Sequence, residues 1–88
     1  KNRSQPFTGK NLCKYENGQI EEEGSFKDGE DVGKWTYWYE NGQKQMSLIW
    51  LHGEKFRRFR AYRSNGDRIK GDGNEIAQKI FSGEMLLE

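Results

Sequence analysis

The chain has 88 residues, with 15 Lys and Arg against 14 Asp and Glu, and its formal net charge of +1 drives it toward neither nucleic acid nor a membrane surface. Hydrophobic residues make up only 32%, yet aromatics reach 14%, a content that disordered segments lack, so the expected object is one thin, well-hydrated folded domain spanning 1–88. A single Cys excludes an intramolecular disulfide, a single His leaves no ligand cluster for a metal, and no apolar run has the length of a membrane-spanning helix.

Along the chain the first signal is the pentapeptide Tyr-Glu-Asn-Gly-Gln at 15–19, which recurs letter for letter at 39–43 and in weaker form as Arg63-Ser64-Asn65-Gly66-Asp67. The step is 24 residues both times, and it relates further positions: Gly9-Lys10 with Gly33-Lys34, Phe26 with Trp50, Trp35 with Phe59, and Trp38 with Tyr62. Such self-similarity marks a repeat architecture. The units read as a partial repeat over 7–14, full repeats over 15–38 and 39–62, and a degenerate one over 63–86.

Each unit has the pattern of a β-hairpin, because Asn-Gly between aromatic-rich runs favours a two-residue type I′ turn. About Asn17-Gly18 this sets Tyr15 opposite Ile20 and Gly9 opposite Phe26. Asp28-Gly29 then joins the first hairpin to the second. About Asn41-Gly42 the same rule pairs Tyr39 with Lys44, Tyr37 with Met46, Trp35 with Leu48 and Gly33 with Trp50. Alternation places Trp35, Tyr37, Tyr39, Met46, Leu48 and Trp50 on one face, and Trp38, Ile49, Leu51 and Tyr62 on the other. The glycines opposite Phe26 and Trp50 are expected to give those rings room over the backbone. His52-Gly53 marks the next loop, where the histidine reads as an ordinary exposed residue.

The third hairpin, about Asn65-Gly66, sets Arg63 against Arg68, an unfavourable like-charge pair that implies a looser turn or an acidic partner. Over 74–84 a strand and a short C-terminal helix compete. The helix has Asp72 and Glu75 as cap residues and Ile76 and Ile80 one turn apart, while Phe81-Ser82-Gly83-Glu84 echoes the strand-loop stretch at 26–30, and the echo favours a strand. The fold class is therefore all-β: a meander of antiparallel hairpins built from 24-residue repeats into an elongated curved sheet.

Charge is unevenly spread. Residues 15–31 hold seven acids against Lys27, and residues 55–70 hold seven bases against Asp67, so an acidic end and a basic end are expected. Glu21 and Glu23 share a strand face with no third ligand in view, Cys13 reads as a half-buried structural thiol, and the glycines lack the strand-to-helix setting of a phosphate loop. These features assign no catalytic, cofactor or metal residue. The candidate binding set is Trp38, Ile49, Leu51 and Tyr62, as aromatic and aliphatic anchors, with Arg58 and Arg60 from the basic stretch 56–63. Strict alternation would put Arg58, Arg60 and Tyr62 on one side and Arg57, Phe59 and Arg63 on the other, which disfavours a nucleic-acid groove and leaves anionic lipid or an acidic protein.

The run YENGQ, Gly24, Phe26, Lys27, Gly29, Gly33 and Trp35 resembles the MORN-type repeat, specifically the bacterial MORN-repeat-variant class. The second copy departs from it: Leu48 and Arg57 stand for glycines and Phe59 for the tryptophan. The resemblance implies a non-catalytic β-sheet surface for binding or scaffolding. Many relatives of the class are labelled antitoxin components, so it further implies a protein partner such as a toxin, and it carries over no functional residue. Three expectations stay open: a protein-interaction module, an anionic-lipid or nucleic-acid binder acting through the basic third repeat, and a spacer within a larger envelope protein. Opposite charged ends also favour head-to-tail self-association. A start at Lys1 leaves room for a removed leader or an upstream domain, so both a bacterial cytoplasmic and an envelope location remain open.

Overall fold

The computed structural model describes residues 8–51 and 55–85. The expected His52-Gly53 loop lies outside them. Five strands follow one another in space as they do in sequence: β1 (Gly9–Lys14), β2 (Ile20–Lys27), β3 (Glu30–Trp38), β4 (Lys44–Trp50) and β5 (Phe56–Ala61), all antiparallel in a single open sheet. The all-β meander is thus as the repeats imply. A helix, α1 (Gly73–Phe81), closes the chain.

The predicted register holds away from the turns. Gly9 faces Phe26, Gly33 faces Trp50, Trp35 faces Leu48 and Tyr37 faces Met46. The turns themselves differ from expectation. Tyr39 N–H donates to Gln43 O at 2.8 Å and Gly42 N–H donates to Tyr39 O at 3.0 Å, with Gly42 at φ +88° and Asn41 outside the positive-φ region. That is a three-residue loop, a type I turn closed by a glycine bulge, in place of the two-residue type I′ turn. The Asn41 side chain explains the preference, because its Oδ1 accepts from Gln43 N–H at 2.9 Å and holds the turn while only Gly42 adopts the left-handed conformation. A bulge between Tyr37 and Trp38 then restores the expected pairing, so Tyr39 never meets Lys44. The turns at 15–19 and 63–67 repeat this geometry. In the third, Arg63 pairs with Asp67 and Tyr62 with Arg68, so the feared opposition of Arg63 and Arg68 does not arise. The type I′ turn falls instead on Asp28-Gly29, at φ +52° and +82° between paired Lys27 and Glu30.

One face of the sheet carries the core. Trp35 and Leu48 are fully enclosed, with Phe26, Phe59 and Ala61 around them and Tyr37, Met46, Trp50 and Phe56 at the margin. The ring that lies over a glycine is Trp35 on Gly24, where a Cβ would overlap the indole; nothing stands within 4 Å of a Cβ at Gly33, whose φ of +71° is what calls for glycine. Leu48 and Phe59, one repeat later, occupy the positions of Gly24 and Trp35, so a larger strand residue goes with a smaller ring.

The strand favoured over 74–84 is replaced by α1. Asp72 Oδ1 caps it by accepting from Asn74 N–H at 3.0 Å, Lys79 pairs with Glu75 at 3.3 Å, and Gly83 at φ +84° follows its end. Helix wins because an open sheet has an apolar face to cover, and Ile76, Ala77 and Ile80 at helical spacing pack on the core beside Phe59 and Ala61. The described residues are only 19 Å thick, one sheet and one helix deep, so no described element covers the opposite face.

Candidate binding face

The open face is built by the residues that alternate with the core. From β3 come Lys34, Thr36 and Trp38; from β4 come Lys44, Ser47 and Ile49; Arg58, Arg60 and Tyr62 follow from the last strand and its exit. Two shallow hollows run into each other across this surface. Lys10, Glu23 and Trp38 line the first, Ile49, Arg58, Arg60 and Tyr62 line the second, and Lys34 and Lys44 line both.

Five of the six residues singled out in the sequence therefore come together: Ile49, Arg58, Arg60 and Tyr62 directly, and Trp38 across the shared lysines. Leu51 does not join them. It is 44% exposed beyond the end of β4, where its N–H donates to Lys55 O at 2.9 Å. Lys10, Lys34 and Lys44 were not anticipated as part of this face, although the sequence carried the signal: Lys10, Lys34 and Arg58 occupy one repeat position, 24 residues apart.

The strict alternation expected along the basic stretch is interrupted. Arg58 sits at φ +56°, within a bulge where Arg58 and Phe59 together oppose Leu48. The extra residue resets the alternation. Phe56 pairs with Trp50 and joins the core, and Arg57 pairs with Ile49, while Arg57 and Arg58 both line a hollow with Phe59, Asp72 and Asn74 at the start of α1. Lys10, Lys34, Lys44, Arg58 and Arg60 are all exposed, and none forms an ion pair with a described residue. Trp38, Ile49 and Tyr62 lie half-buried among them.

The repeated pentapeptide has its own task at one end of the strands. Tyr15 Oη donates to Trp38 O at 2.7 Å and Asn17 Nδ2 to Glu40 O at 3.0 Å; Tyr39 Oη donates to Tyr62 O at 2.6 Å and Asn41 Nδ2 to Ser64 O at 2.8 Å. Each link spans 23 residues, from one turn to the backbone of the next. The tyrosine and asparagine thus clamp successive repeats together, and in doing so fix the backbone that presents Trp38 and Tyr62. The ladder stops at the third turn, where Arg63 stands for tyrosine and Asn65 Nδ2 turns to its own Asp67 at 3.3 Å. Burial, then the charges of Glu21 and Glu40, raises the Tyr15 hydroxyl pKa above its ordinary 10.0.

Among the described residues no group of three His, Cys, Asp or Glu is placed to hold a metal ion. Cys13 is half-buried, its Sγ 3.8 Å from Asn11 Oδ1.

Fold and face together define an open antiparallel repeat sheet, cored on one side and polar, basic and aromatic on the other. Residues 7–28 and 31–49, just under half of the chain, match the family model described as MORN repeat variant, and the match over two repeats supports a MORN-repeat identity for these segments. The class is a non-catalytic repeat module used generally for binding or scaffolding. Searches of curated proteins and of solved structures found no match.

Proposed function

We propose that the chain is a non-catalytic protein-interaction module that holds an acidic partner against its open face, in the manner of an antitoxin or immunity protein occupying its target. One observation carries this reading: five exposed bases that form no ion pair with a described residue surround half-buried Trp38, Ile49 and Tyr62 on a sheet face that no described element covers. Aromatic anchors amid charge are what a protein interface uses, the rings for buried area and the charges for orientation and encounter rate. The same face attracts any anionic surface, so the test must separate a protein from lipid.

The test uses three baits at physiological salt: the wild-type chain, a Lys34→Glu/Arg60→Glu variant, and Lys79→Glu on the helix as a charge control. The reading expects a single partner, a toxin-like protein being the first to co-express, retained by wild type and the control and lost by the double variant. Equal retention by all three refutes it. Sedimentation with anionic vesicles in place of protein retention also refutes it.

A further inference from the structure

Beyond the open face, and without resting on it, we infer that the outer edge of β1 is a second docking site, which takes an acidic extended strand of another polypeptide by backbone pairing.

β1 ends the sheet, and no described strand pairs with its outer side. Tyr15 N–H turns inward to Gln19 O, so alternation turns the N–H and C=O groups of Lys14, Leu12 and Lys10 outward. Trp38 holds the place of Lys14 one repeat later, and its carbonyl accepts from Tyr15 Oη across the strand boundary at 2.7 Å. Lys14 O faces the same way, and no described side chain donates to it. A row of unpaired backbone groups is a template for an added strand.

The side chains along that edge select its occupant. Lys10, Leu12 and Lys14 stand at every second residue on one side of β1, all exposed, and Leu12 at 54% is the most exposed large hydrophobe among the described residues. Neither lysine forms an ion pair with a described residue. A second copy of the chain fits badly here. Pairing β1 with itself about Leu12 sets Lys10 of each copy against Lys14 of the other, and like charges directly opposed are destabilising. A further repeat of the same kind fits no better, because its rings need neighbours such as Trp35 and Tyr37, and β1 holds Asn11 and Cys13 at those positions. Asn11 is instead tied to the sheet, its Nδ2 donating to Glu22 Oε2 at 3.2 Å. What fits is a lone strand with an acid opposite each lysine and an apolar residue between them over Leu12. Glu23 stands across from Leu12 on the inner side, so the central position favours that apolar residue over a third acid.

The test is fluorescence anisotropy on the full chain at physiological salt with a labelled peptide, Thr-Glu-Thr-Leu-Thr-Glu-Thr, and the same peptide N-methylated at alternate amides. The methylated form, which cannot complete the ladder, is expected to bind at least about tenfold more weakly, and Lys10→Glu and Lys14→Glu each to weaken the parent peptide about tenfold. Hydrogen exchange should slow at the Leu12 and Lys14 amides when the peptide binds. The Lys34→Glu/Arg60→Glu variant should bind it within about twofold of wild type, because screened charges on the open face lie off this edge. Circular dichroism confirms that each exposed variant keeps its sheet. Absence of binding, equal binding of the methylated peptide, or unchanged exchange at Leu12 and Lys14 overturns the inference. Loss of binding in the Lys34→Glu/Arg60→Glu variant alone also overturns it and assigns the peptide to the open face, whereas failure at the edge leaves the open-face reading to its own test.

Discussion

Gly24→Ala tests how the core is assembled. A Cβ at position 24 would overlap Cδ2, Cε2 and Cε3 of the Trp35 indole, well inside ordinary carbon contact at about 3.5–4.0 Å. The indole has nowhere to retreat: it is fully enclosed, edge-on to Phe26 at 5.1 Å, stacked on Tyr37 at 6.1 Å, and its Nε1 donates to Ser25 O at 3.0 Å. Overpacking of this kind costs about 1–3 kcal/mol, and losing the indole bond adds about 1 kcal/mol. The expected destabilisation is therefore about 2–4 kcal/mol, a fall in Tm of at least about 8 °C for a domain of this size. Urea and thermal denaturation followed by tryptophan fluorescence and circular dichroism measure it. The companion is Gly24→Ala with Trp35→Phe, which copies the trend of Leu48 and Phe59 one repeat later. The double variant should be more stable than the sum of the single effects by at least about 1 kcal/mol, because ring and methyl compete for one volume. An unchanged midpoint for Gly24→Ala, or strict additivity in the pair, would refute the account.

Tyr39→Phe removes the donor to Tyr62 O from a buried side chain and should lower stability by about 1 kcal/mol, read as a shift of the urea midpoint at constant slope; a midpoint at or above wild type contradicts the clamp. Asp72→Ala deletes the cap of α1 and should lose about 1 kcal/mol with a partial loss of helical ellipticity, whereas a silent substitution would mean that packing of Ile76 and Ala77 alone holds the helix. At alkaline pH the sign follows from Tyr15. Its folded pKa lies above the unfolded value of 10.0, so its contribution is complete below pH 10 and is lost as pH rises beyond it. Tyr15→Phe should flatten that alkaline decline in a denaturation series, and an unaltered slope would assign the decline to other groups.

Much of the register was legible because period-2 alternation and a repeat of 24 constrain the same pairs twice: Trp35 against Leu48 follows from either. The turn type was not, since Asn-Gly serves both a two-residue and a three-residue loop, and only the pairing of Tyr39 with Gln43 tells them apart. The helix escaped the repeat pattern because α1 answers a need created by the finished sheet. On the open face, Trp38, Ile49, Arg60 and Tyr62 followed from alternation, but Lys34 and Lys44 needed three strands side by side before they became neighbours of Arg58.

By itself the sequence determined the meander and its phase, since local turn residues and hydrophobic alternation act over a few residues and need no distant partner. Tertiary structure alone decided which glycine yields to a ring, where a bulge brings Arg57 across from Ile49, and that a helix covers one face while the bases hold the other. Each of those depends on volumes and charges brought together from strands far apart in the chain, and no local pattern records them.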